Sequence, residues 1–302
     1  MKAIEMHGYG GVDQLRYEEV PTPIPGPKEV LVKLAATSVN PIDWKIRRGD
    51  RKATMALQFP VILGRDVVGE ISAAGAGGAS GFRLGQKVMA LGEHAYAEFV
   101  TVPSAVLAPV PDGLDIEQAG ALPLVVSTGA ELMERIGPQR GDTVMVTGAL
   151  GGVGRTAVYV ALERGARVIV GVRAHQRQQA QALEAAQIVA LDADDELGAL
   201  PELDAIADTV GGEAIEKLLP KLKRGGVLGS VLGKPKAAEG RDIRIEAFMV
   251  KPNALRLARM AQAVRSGKLA IPVAGEFRLS EAAAAQQLAE TGHIDGKVVL
   301  IA

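Results

Sequence analysis

The chain has 302 residues, a formal net charge of −1, 48% hydrophobic residues and no cysteine. This length suggests about two domains, and the apolar content is too high for a disordered chain. The balanced charge excludes a large basic surface for nucleic acid, and the absence of cysteine excludes disulfides, thiolate chemistry and Cys-rich metal sites.

The N-terminal residues lack the apolar segment of a signal peptide. No charge-free apolar run reaches the roughly 18 residues that a membrane span needs. We therefore expect a cytoplasmic protein without a membrane span and without a nucleic-acid partner.

The first 110 residues contain short β-like runs between turns that are rich in glycine and proline. Strands are predicted over 2–6, 14–20, 29–39, 67–75, 87–91 and 95–102. Many short strands with frequent turns are typical of a small antiparallel barrel or sandwich.

The pattern changes near residue 115, where a helix is predicted over 115–137. Strands and helices then alternate. Strands are predicted over 143–148, 166–172, 188–191, 203–210 and 226–232, and helices over 152–165, 176–186 and 213–225. Apolar strands that alternate with helices are typical of a parallel sheet covered on both faces.

The tail contains one more predicted strand over 243–250 and a helix over 253–267, followed by a helix and a final strand within 276–302. We expect this tail to return to the first domain. The sequence thus predicts an α/β protein with a β-rich domain formed by residues 1–117 and 252–302. Residues 118–251 are predicted to form a doubly wound parallel-sheet domain.

The stretch "TGALGGVG" at 147–154 follows a predicted buried strand and opens a helix. Its A-x-G-x-x-G pattern suits a tight turn whose backbone approaches a pyrophosphate at the positive end of the helix dipole. A glycine-rich turn alone can be structural, but its place within one βαβ unit favours dinucleotide binding. The predicted contacts are Ala149, Leu150, Gly151, Gly152, Val153 and Gly154.

The end of the second strand of this unit indicates which dinucleotide binds. NAD enzymes usually carry an acid there, whereas this chain has Arg173 and no acid before Glu184. Arg173, with His175 or Arg177 as further candidates, could pair with the extra phosphate of NADPH. The alternative is a solvated basic start of a helix. We predict NADPH as the cofactor.

Together these features resemble the medium-chain dehydrogenase/reductase superfamily, and its zinc-free quinone oxidoreductase and alkenal (enoyl) reductase branch most closely. The resemblance covers nearly the whole chain. It implies a GroES-like β-barrel substrate domain, a Rossmann NADP-binding domain and a homodimer. The motifs that carry it are "SVNPIDWKIRRG" (38–49), "FPVILGRDVVGE" (59–70), "GQKVMAL" (85–91), "AYAEFV" (95–100), "VTGALGGVG" (146–154), "DTVGG" (208–212) and "GKVVLIA" (296–302).

The chain departs from the zinc-containing members of that superfamily. The resemblance places Asn40 at a zinc-ligating cysteine and Arg65, in "Gly-Arg-Asp", at a zinc-ligating histidine. A protonated arginine cannot bind a metal ion, and the histidines His7, His94, His175 and His293 lack ligand spacing. We therefore predict no metal site.

The resemblance also suggests the substrate site. Asn40 could donate to the substrate or stabilise a turn before Pro41, and Tyr96 could protonate the product or lie in a half-buried strand; both are candidate catalytic residues. Trp44 could form a pocket wall or belong to the core. Arg65 could form a polar floor with Asp66 or take part in a structural ion pair.

Four further residues are candidates for cofactor contact. Ser127 and Thr128 resemble the family's hydroxyl pair that faces the nicotinamide, although they could be helix-surface hydroxyls. Val210 and Leu232 end two predicted strands at the sheet edge where ligands bind, although both could be core residues. Lys251 and Lys297 could reach a phosphate or cover surface, and we expect the latter.

The resulting prediction is an NADPH-dependent oxidoreductase that transfers a hydride to a small quinone or to the C=C bond of an enone or enal without metal. Such acceptors take the developing charge on their own carbonyl, so positioning and hydrogen bonds suffice. The alternative is a non-enzymatic NADPH-binding redox sensor or crystallin-like protein.

Overall fold

A computed structural model describes residues 1–79, 81–292 and 294–302. These residues form two compact units. The first, here called the split unit, comprises 1–127, 252–267 and 271–302; the second, the central unit, comprises 128–251 and 268–270. None of the helices in the described ranges combines the length and the apolar character that crossing a bilayer requires.

The split unit is rich in short strands. Its strands are β1 Lys2–Met6, β2 Leu15–Glu19, β3 Glu29–Val39, β4 Val61–Ile62, β5 Asp66–Ala74, β6 Lys87–Leu91, β7 Phe99–Pro103, β8 Ala108–Pro109, β15 Val273–Arg278 and β16 Lys297–Ile301. Its helices are α1 Pro41–Arg48, α2 Ile116–Gly120, α8 Ala254–Arg265 and α9 Ala282–Glu290, and α3 Pro123–Ile136 begins here.

The long strand β3 organises the larger sheet of this unit, whose order is β15-β16-β3-β5-β6-β8, with β7 also paired to β3. β16, from the tail of the chain, pairs antiparallel with residues 36–39 of β3. A separate three-stranded sheet has the order β2-β1-β4. The tail of the chain and β3 therefore share one sheet, while β1 lies in the other.

Helix α1 was not predicted, although its sequence carries the signals for it. Asn40 is the N-cap, Pro41 is the first helical residue, and the Asp43 carboxylate accepts from the Asn40 N–H at 2.8 Å. This reciprocal arrangement is a capping box. Gly49 ends the helix with φ +89°, the left-handed conformation that glycine adopts without strain.

The central unit alternates strands and helices as predicted. Its strands are β9 Thr143–Thr147, β10 Arg167–Val172, β11 Gln187–Ala190, β12 Leu203–Asp208, β13 Leu222–Ser230 and β14 Arg244–Ala247. Its helices are α4 Gly152–Glu163, α5 Arg177–Ala180, α6 Asp194–Gly198 and α7 Gly212–Leu218. The sheet is parallel throughout, with the order β11-β10-β9-β12-β13-β14. This is the doubly wound Rossmann order, so the predicted fold class is confirmed.

Three predicted helices differ from the observed ones. Residues 115–137 form two helices because Pro123 cannot continue the first one. The helix predicted over 213–225 ends near Pro220, and β13 already begins at Leu222. Residues 176–186 form only short helical turns, in which Ala180 is the one buried residue. Such a segment buries too little apolar surface to hold a long helix.

Candidate functional site

The glycine-rich turn links β9 to α4. Gly148 has φ +61°, and Gly151 is the N-cap of α4. A Cβ at Gly154 would lie 2.2 Å from the Gly148 carbonyl oxygen, so only glycine permits this packing of helix start on turn. A Cβ at Gly151 would lie 3.4 Å from the same oxygen, which is an ordinary contact. An added Cβ at Gly151 would therefore fit without displacing other atoms of the protein.

The first N–H groups of α4 have no acceptor in the described residues. The N–H of Arg155 bonds to the Gly151 carbonyl, but the N–H groups of Gly152, Val153 and Gly154 bond to no described residue. No side chain caps this helix. Unpaired N–H groups at the positive end of a helix dipole form a binding site for anions. The turn therefore has the donors and the open backbone that a pyrophosphate requires.

Asp208, at the end of β12, holds this edge of the sheet together. Its buried carboxylate accepts from the Thr147 hydroxyl at 3.0 Å, from the N–H groups of Val210 and Gly211 at 3.1 and 2.8 Å, and from the Ser230 hydroxyl at 2.9 Å. These groups come from the ends of β9, β12 and β13. The network fixes three strand ends beside the glycine turn, and the sequence analysis did not identify its central residue.

Val210 and Leu232 lie at this same edge. Their exposed fractions are 48% and 39%, so neither belongs to the core. A Cβ at Gly148 would lie 2.8 Å from Val210, and one at Gly211 would lie 2.9 Å from Leu232. The structure thus brings Val210 close to the turn and Leu232 close to Gly211, and it leaves both apolar side chains exposed.

Helix α3 contacts the start of α4 through Gly129, where a Cβ would lie 2.5 Å from the Val153 carbonyl oxygen. Thr128, the preceding residue, is 7% exposed. Ser127 is fully buried, and its hydroxyl has no hydrogen-bond partner in the described residues. A buried hydroxyl without a partner is costly, which makes Ser127 a candidate for contact with a ligand.

Arg173 follows β10 at the same sheet edge, and its side chain is exposed. No acidic side chain of the described ranges pairs with its guanidinium. Arg177, by contrast, is already paired with Glu196. Asp192, which follows β11, accepts from the Ala174 N–H at 2.9 Å. The sequence analysis missed this acid because it lies beside Arg173 only through strand pairing.

The split unit contains a buried polar cluster, defined by Ser38, Asn40, Asp43, Asp66, Tyr96 and Lys297. The Asp66 carboxylate, which is fully buried, accepts from the Ser38 hydroxyl, from the Asn40 amide at 2.7 Å and from the Leu124 N–H at 2.6 Å. Three donors therefore already occupy this carboxylate.

Lys297 supplies the cation of the cluster. Lys297 is 7% exposed, and its ammonium group donates to the Val39 carbonyl at 2.8 Å and to the Asn40 side-chain oxygen at 2.5 Å. The prediction that Lys297 covers surface is wrong, because β16 pairs with β3 and turns this side chain inward. Burial lowers the pKa of Lys297, and the charges of Asp66 and Asp43 oppose that shift.

Both predicted catalytic residues lie inside this cluster. Asn40 is fully buried, and its amide donates to Asp66 while its oxygen accepts from Lys297. Tyr96 is also fully buried, and its hydroxyl donates to Asp43 at 2.9 Å. Burial, and then the Asp43 charge, raise the pKa of Tyr96 well above its usual value. The polar groups of Asn40 and Tyr96 are therefore hydrogen-bonded to other members of the cluster.

Asp43 is expected to make the split unit lose stability as pH rises. Burial is the main cause that raises its pKa from 3.8 to about 6, against the hydrogen bonds from Asn40 and Tyr96. The folded state thus binds this proton more tightly than the unfolded state. The contribution of protonated Asp43 to the free energy of unfolding is therefore full below pH ~4 and is lost as pH rises through about 6. We expect a loss of about 2 kcal/mol between pH ~4.5 and ~7.5, which D43N removes.

Urea unfolding followed by Trp44 fluorescence measures this effect in the split unit alone, since Trp44 is the single tryptophan. The exposed-carboxylate variant D13N should keep the pH dependence of the wild type. A D43N profile that is as steep as that of D13N would contradict the assignment.

Trp44 and Arg65 lie at the margin of this cluster. Trp44 is half-buried and packs against the apolar core of the split unit. The Arg65 side chain is 19% exposed and contacts Glu93 at 3.4 Å, while its buried Nε has no partner among the described residues. Arg65 therefore takes part in an ion pair and retains an unused donor.

The side chains at the position that binds zinc in the zinc-containing members of the superfamily do not fit a zinc ion. The Asn40 oxygen accepts from an ammonium group, the Asp66 carboxylate has three donors, and Arg65 is a cation. Within the described ranges, the three potential ligands that do come together are Glu5, His7 and Glu18, where His7 already bonds to Glu18 at 2.6 Å. His293 lies outside the described residues.

Comparison with known proteins identifies both halves of the chain. Residues 26–112 match the family described as alcohol dehydrogenase GroES-like domain, and residues 183–300 match the family described as zinc-binding dehydrogenase. The first match confirms the predicted GroES-like domain.

Whole-chain relatives agree with these matches. A 2-methylene-furan-3-one reductase of Solanum lycopersicum is 30% identical over 99% of this chain and 79% of its own length. The quinone oxidoreductase of Coxiella burnetii has a TM-score of 0.89 at 29% identity, covering 100% of this chain and 99% of its own. A mycobacterial protein solved with NADPH has a TM-score of 0.87 at 28% identity, with full coverage of both chains.

Proposed function

The chain belongs to the medium-chain dehydrogenase/reductase superfamily, in its branch of quinone oxidoreductases and alkenal reductases, and on this basis we propose a zinc-independent, NADPH-dependent reductase. Its acceptors are quinones or the activated C=C bonds of α,β-unsaturated carbonyl compounds. A relative named for an enone and a structural neighbour named for a quinone support both acceptor classes.

The observation that carries the proposal is the open turn at the start of α4. The free N–H groups of Gly152, Val153 and Gly154 would hold the pyrophosphate, and Arg173 would pair with the 2′-phosphate. Val210 and Leu232 would line the apolar end of the cofactor, with Ser127 and Thr128 as further contacts. When bound, NADPH supplies the hydride.

The proposed chemistry needs no metal because the acceptor carries its own electron sink. When a hydride reaches a quinone or the β-carbon of an enone, the negative charge develops on the carbonyl oxygen of the acceptor. Arg65, whose Nε has no partner in the described chain, is our candidate to donate to that oxygen. Trp44 is our candidate for an apolar wall.

For Asn40 and Tyr96 we propose a positioning role. Their polar groups bond to Asp66, Lys297 and Asp43 inside the buried cluster, so they support the strand ends that carry Arg65 and helix α1. Neither residue offers a free donor to a substrate, and we propose that solvent protonates the product.

The test is NADPH oxidation by purified protein with benzoquinone, phenanthrenequinone, 2-alkenals and enones, in the presence of a metal chelator. We expect turnover with at least one of these acceptors, and none with saturated ketones, which lack the activated bond. Turnover that disappears with the chelator would contradict the zinc-independent chemistry.

The competing function is that of a non-enzymatic NADPH-binding redox sensor or crystallin-like protein. The engaged state of Asn40 and Tyr96 is the observation that favours it. NADPH binding in calorimetry without turnover of any acceptor would favour this function over the reductase.

We also propose a cytoplasmic homodimer. Strand β14 ends the central sheet, and its outer edge pairs with no other strand of the described chain. Such edges are usually covered, and a second copy could extend the sheet here. Light scattering should then give twice the 31.5 kDa mass of one chain. A monomer mass at micromolar concentration would contradict the proposal.

A further inference from the structure

Two acids lie where the proposed function places the extra phosphate of NADPH. Arg173 follows β10, and Asp192 follows the neighbouring parallel strand β11. The register pairs Val172 with Ala190, and the Leu191 N–H bonds to the Val172 carbonyl at 2.8 Å. This pairing brings residues 173–174 and 192 together at the carboxyl edge of the sheet.

Asp192 already occupies a backbone donor at this place. Its carboxylate accepts from the Ala174 N–H at 2.9 Å, and the Gln176 side chain accepts from the Arg173 N–H at 3.0 Å. Backbone N–H groups directly after the second strand are donors that a phosphate could use. Here the chain's own side chains occupy both of them.

The second acid, Glu196, pairs with Arg177, which is then not free to bind the phosphate. Its carboxylate pairs with the Arg177 guanidinium and accepts from the Ala190 N–H at 3.0 Å. The Ala190 hydrogen bond and then Arg177 lower the pKa of Glu196, so the side chain stays ionised at neutral pH. Arg177 is therefore engaged before any phosphate arrives.

The charges at this strand end consequently cancel. Arg173 and Arg177 contribute two positive charges, Asp192 and Glu196 contribute two negative charges, and His175 is exposed between the two arginines in the sequence. A doubly charged phosphate would meet Arg173 as the one unengaged arginine of the described segment. It would also find the Ala174 N–H already hydrogen-bonded to the Asp192 carboxylate.

We infer that Asp192 and Glu196 weaken recognition of the 2′-phosphate, so that the site binds NADH nearly as well as NADPH, with Asp192 as the main determinant. This inference rests on the proposed function, in which NADPH is the cofactor, and adds that NADH also binds at the same site. In NADH sites the acid at the end of the second strand accepts from the ribose 2′-hydroxyl, and Asp192, which is hydrogen-bonded to the Ala174 N–H just after that strand, would take this role from the neighbouring strand.

The test compares dissociation constants of NADPH and NADH by calorimetry for the wild type, D192N and E196Q. Both amides keep an oxygen for the N–H that the carboxylate accepts from, and both remove the negative charge. We expect wild-type affinities within about tenfold of each other, and a rise in the NADPH preference by about tenfold in D192N and by a few-fold in E196Q. D195N, an exposed acid of the same helix as Glu196, is the matched control and should leave the ratio unchanged.

The fragments 2′,5′-ADP and 5′-AMP assign the effect to the adenosine end of the cofactor. D192N should tighten 2′,5′-ADP and leave 5′-AMP unchanged or weaker. If both dinucleotides bind but D192N and E196Q keep the wild-type ratio, the inference is overturned while the proposed function stands. If neither dinucleotide binds the folded wild type, the proposed function fails first.

Discussion

Replacing Gly154 by alanine is expected to lower the affinity for NADPH by about 100-fold. The new Cβ would lie 2.2 Å from the Gly148 carbonyl oxygen and 2.7 Å from the Ala149 Cα, so the start of α4 must move away from the turn. Displacing two N–H groups from a phosphate costs about 1.5 kcal/mol each, and about 1.4 kcal/mol corresponds to a tenfold change. Calorimetry with NADPH measures the loss.

Two other glycines separate the possible causes of such a loss. Gly198, on α6, has no atom within 4 Å of an added Cβ, so G198A should bind like the wild type. G151A fits the protein, since its Cβ contacts only the Gly148 oxygen at 3.4 Å. Weak binding by G151A with an unchanged melting temperature would therefore report the close approach of the cofactor itself. If G154A binds NADPH within about threefold of the affinity of G198A, the glycine-rich turn at the start of α4 does not hold the pyrophosphate.

Replacing Lys297 by methionine is expected to lower the unfolding free energy of the split unit by about 3–5 kcal/mol, the range for leaving a buried charge without its partner. The ammonium group satisfies the Val39 carbonyl and the Asn40 oxygen, and the negative charges of Asp66 and Asp43 favour it. Methionine has similar length and no donor, so packing changes little while the cation disappears. Urea unfolding followed by Trp44 fluorescence reports this unit.

The matched control is K33M, since Lys33 lies exposed on β3, and its effect should stay within about 0.5 kcal/mol. If K297M does not fold, the double variant D66N/K297M keeps the prediction testable. Removing the carboxylate together with its cation should recover part of the loss. A K297M protein as stable as K33M would show that the cluster needs no cation.

The sequence predicted what depends on local pattern. The strand–turn–helix at 143–165 was found because a buried strand, a glycine turn and an amphipathic helix follow each other directly. The errors also have local causes, since helices that were predicted to continue past Pro123 and Pro220 are interrupted near these prolines. Helix α1 was not predicted as an element, although its cap, proline and final glycine are visible in the sequence.

The candidate site was harder to predict because its side chains come from distant segments. Lys297 reaches Asn40 across 257 positions, and Asp192 reaches Ala174 across 18. No spacing rule connects such pairs, since strand pairing places them together. A charged residue in an apolar strand, as in "GKVVLIA", was the one available signal that Lys297 is buried. Lysine at such a place is almost always paired.

The pairing of β16 with β3 has a consequence for how the protein is made. On the ribosome, residues 128–251 leave the exit tunnel as one continuous stretch, so the central unit can fold while synthesis goes on. The split unit must wait for β16, which is translated after all its other strands and carries the cation for Asp66. Until β16 pairs with β3, the unfinished split unit holds the Asp43 and Asp66 carboxylates without the Lys297 cation. We expect chaperones to bind the chain in this state.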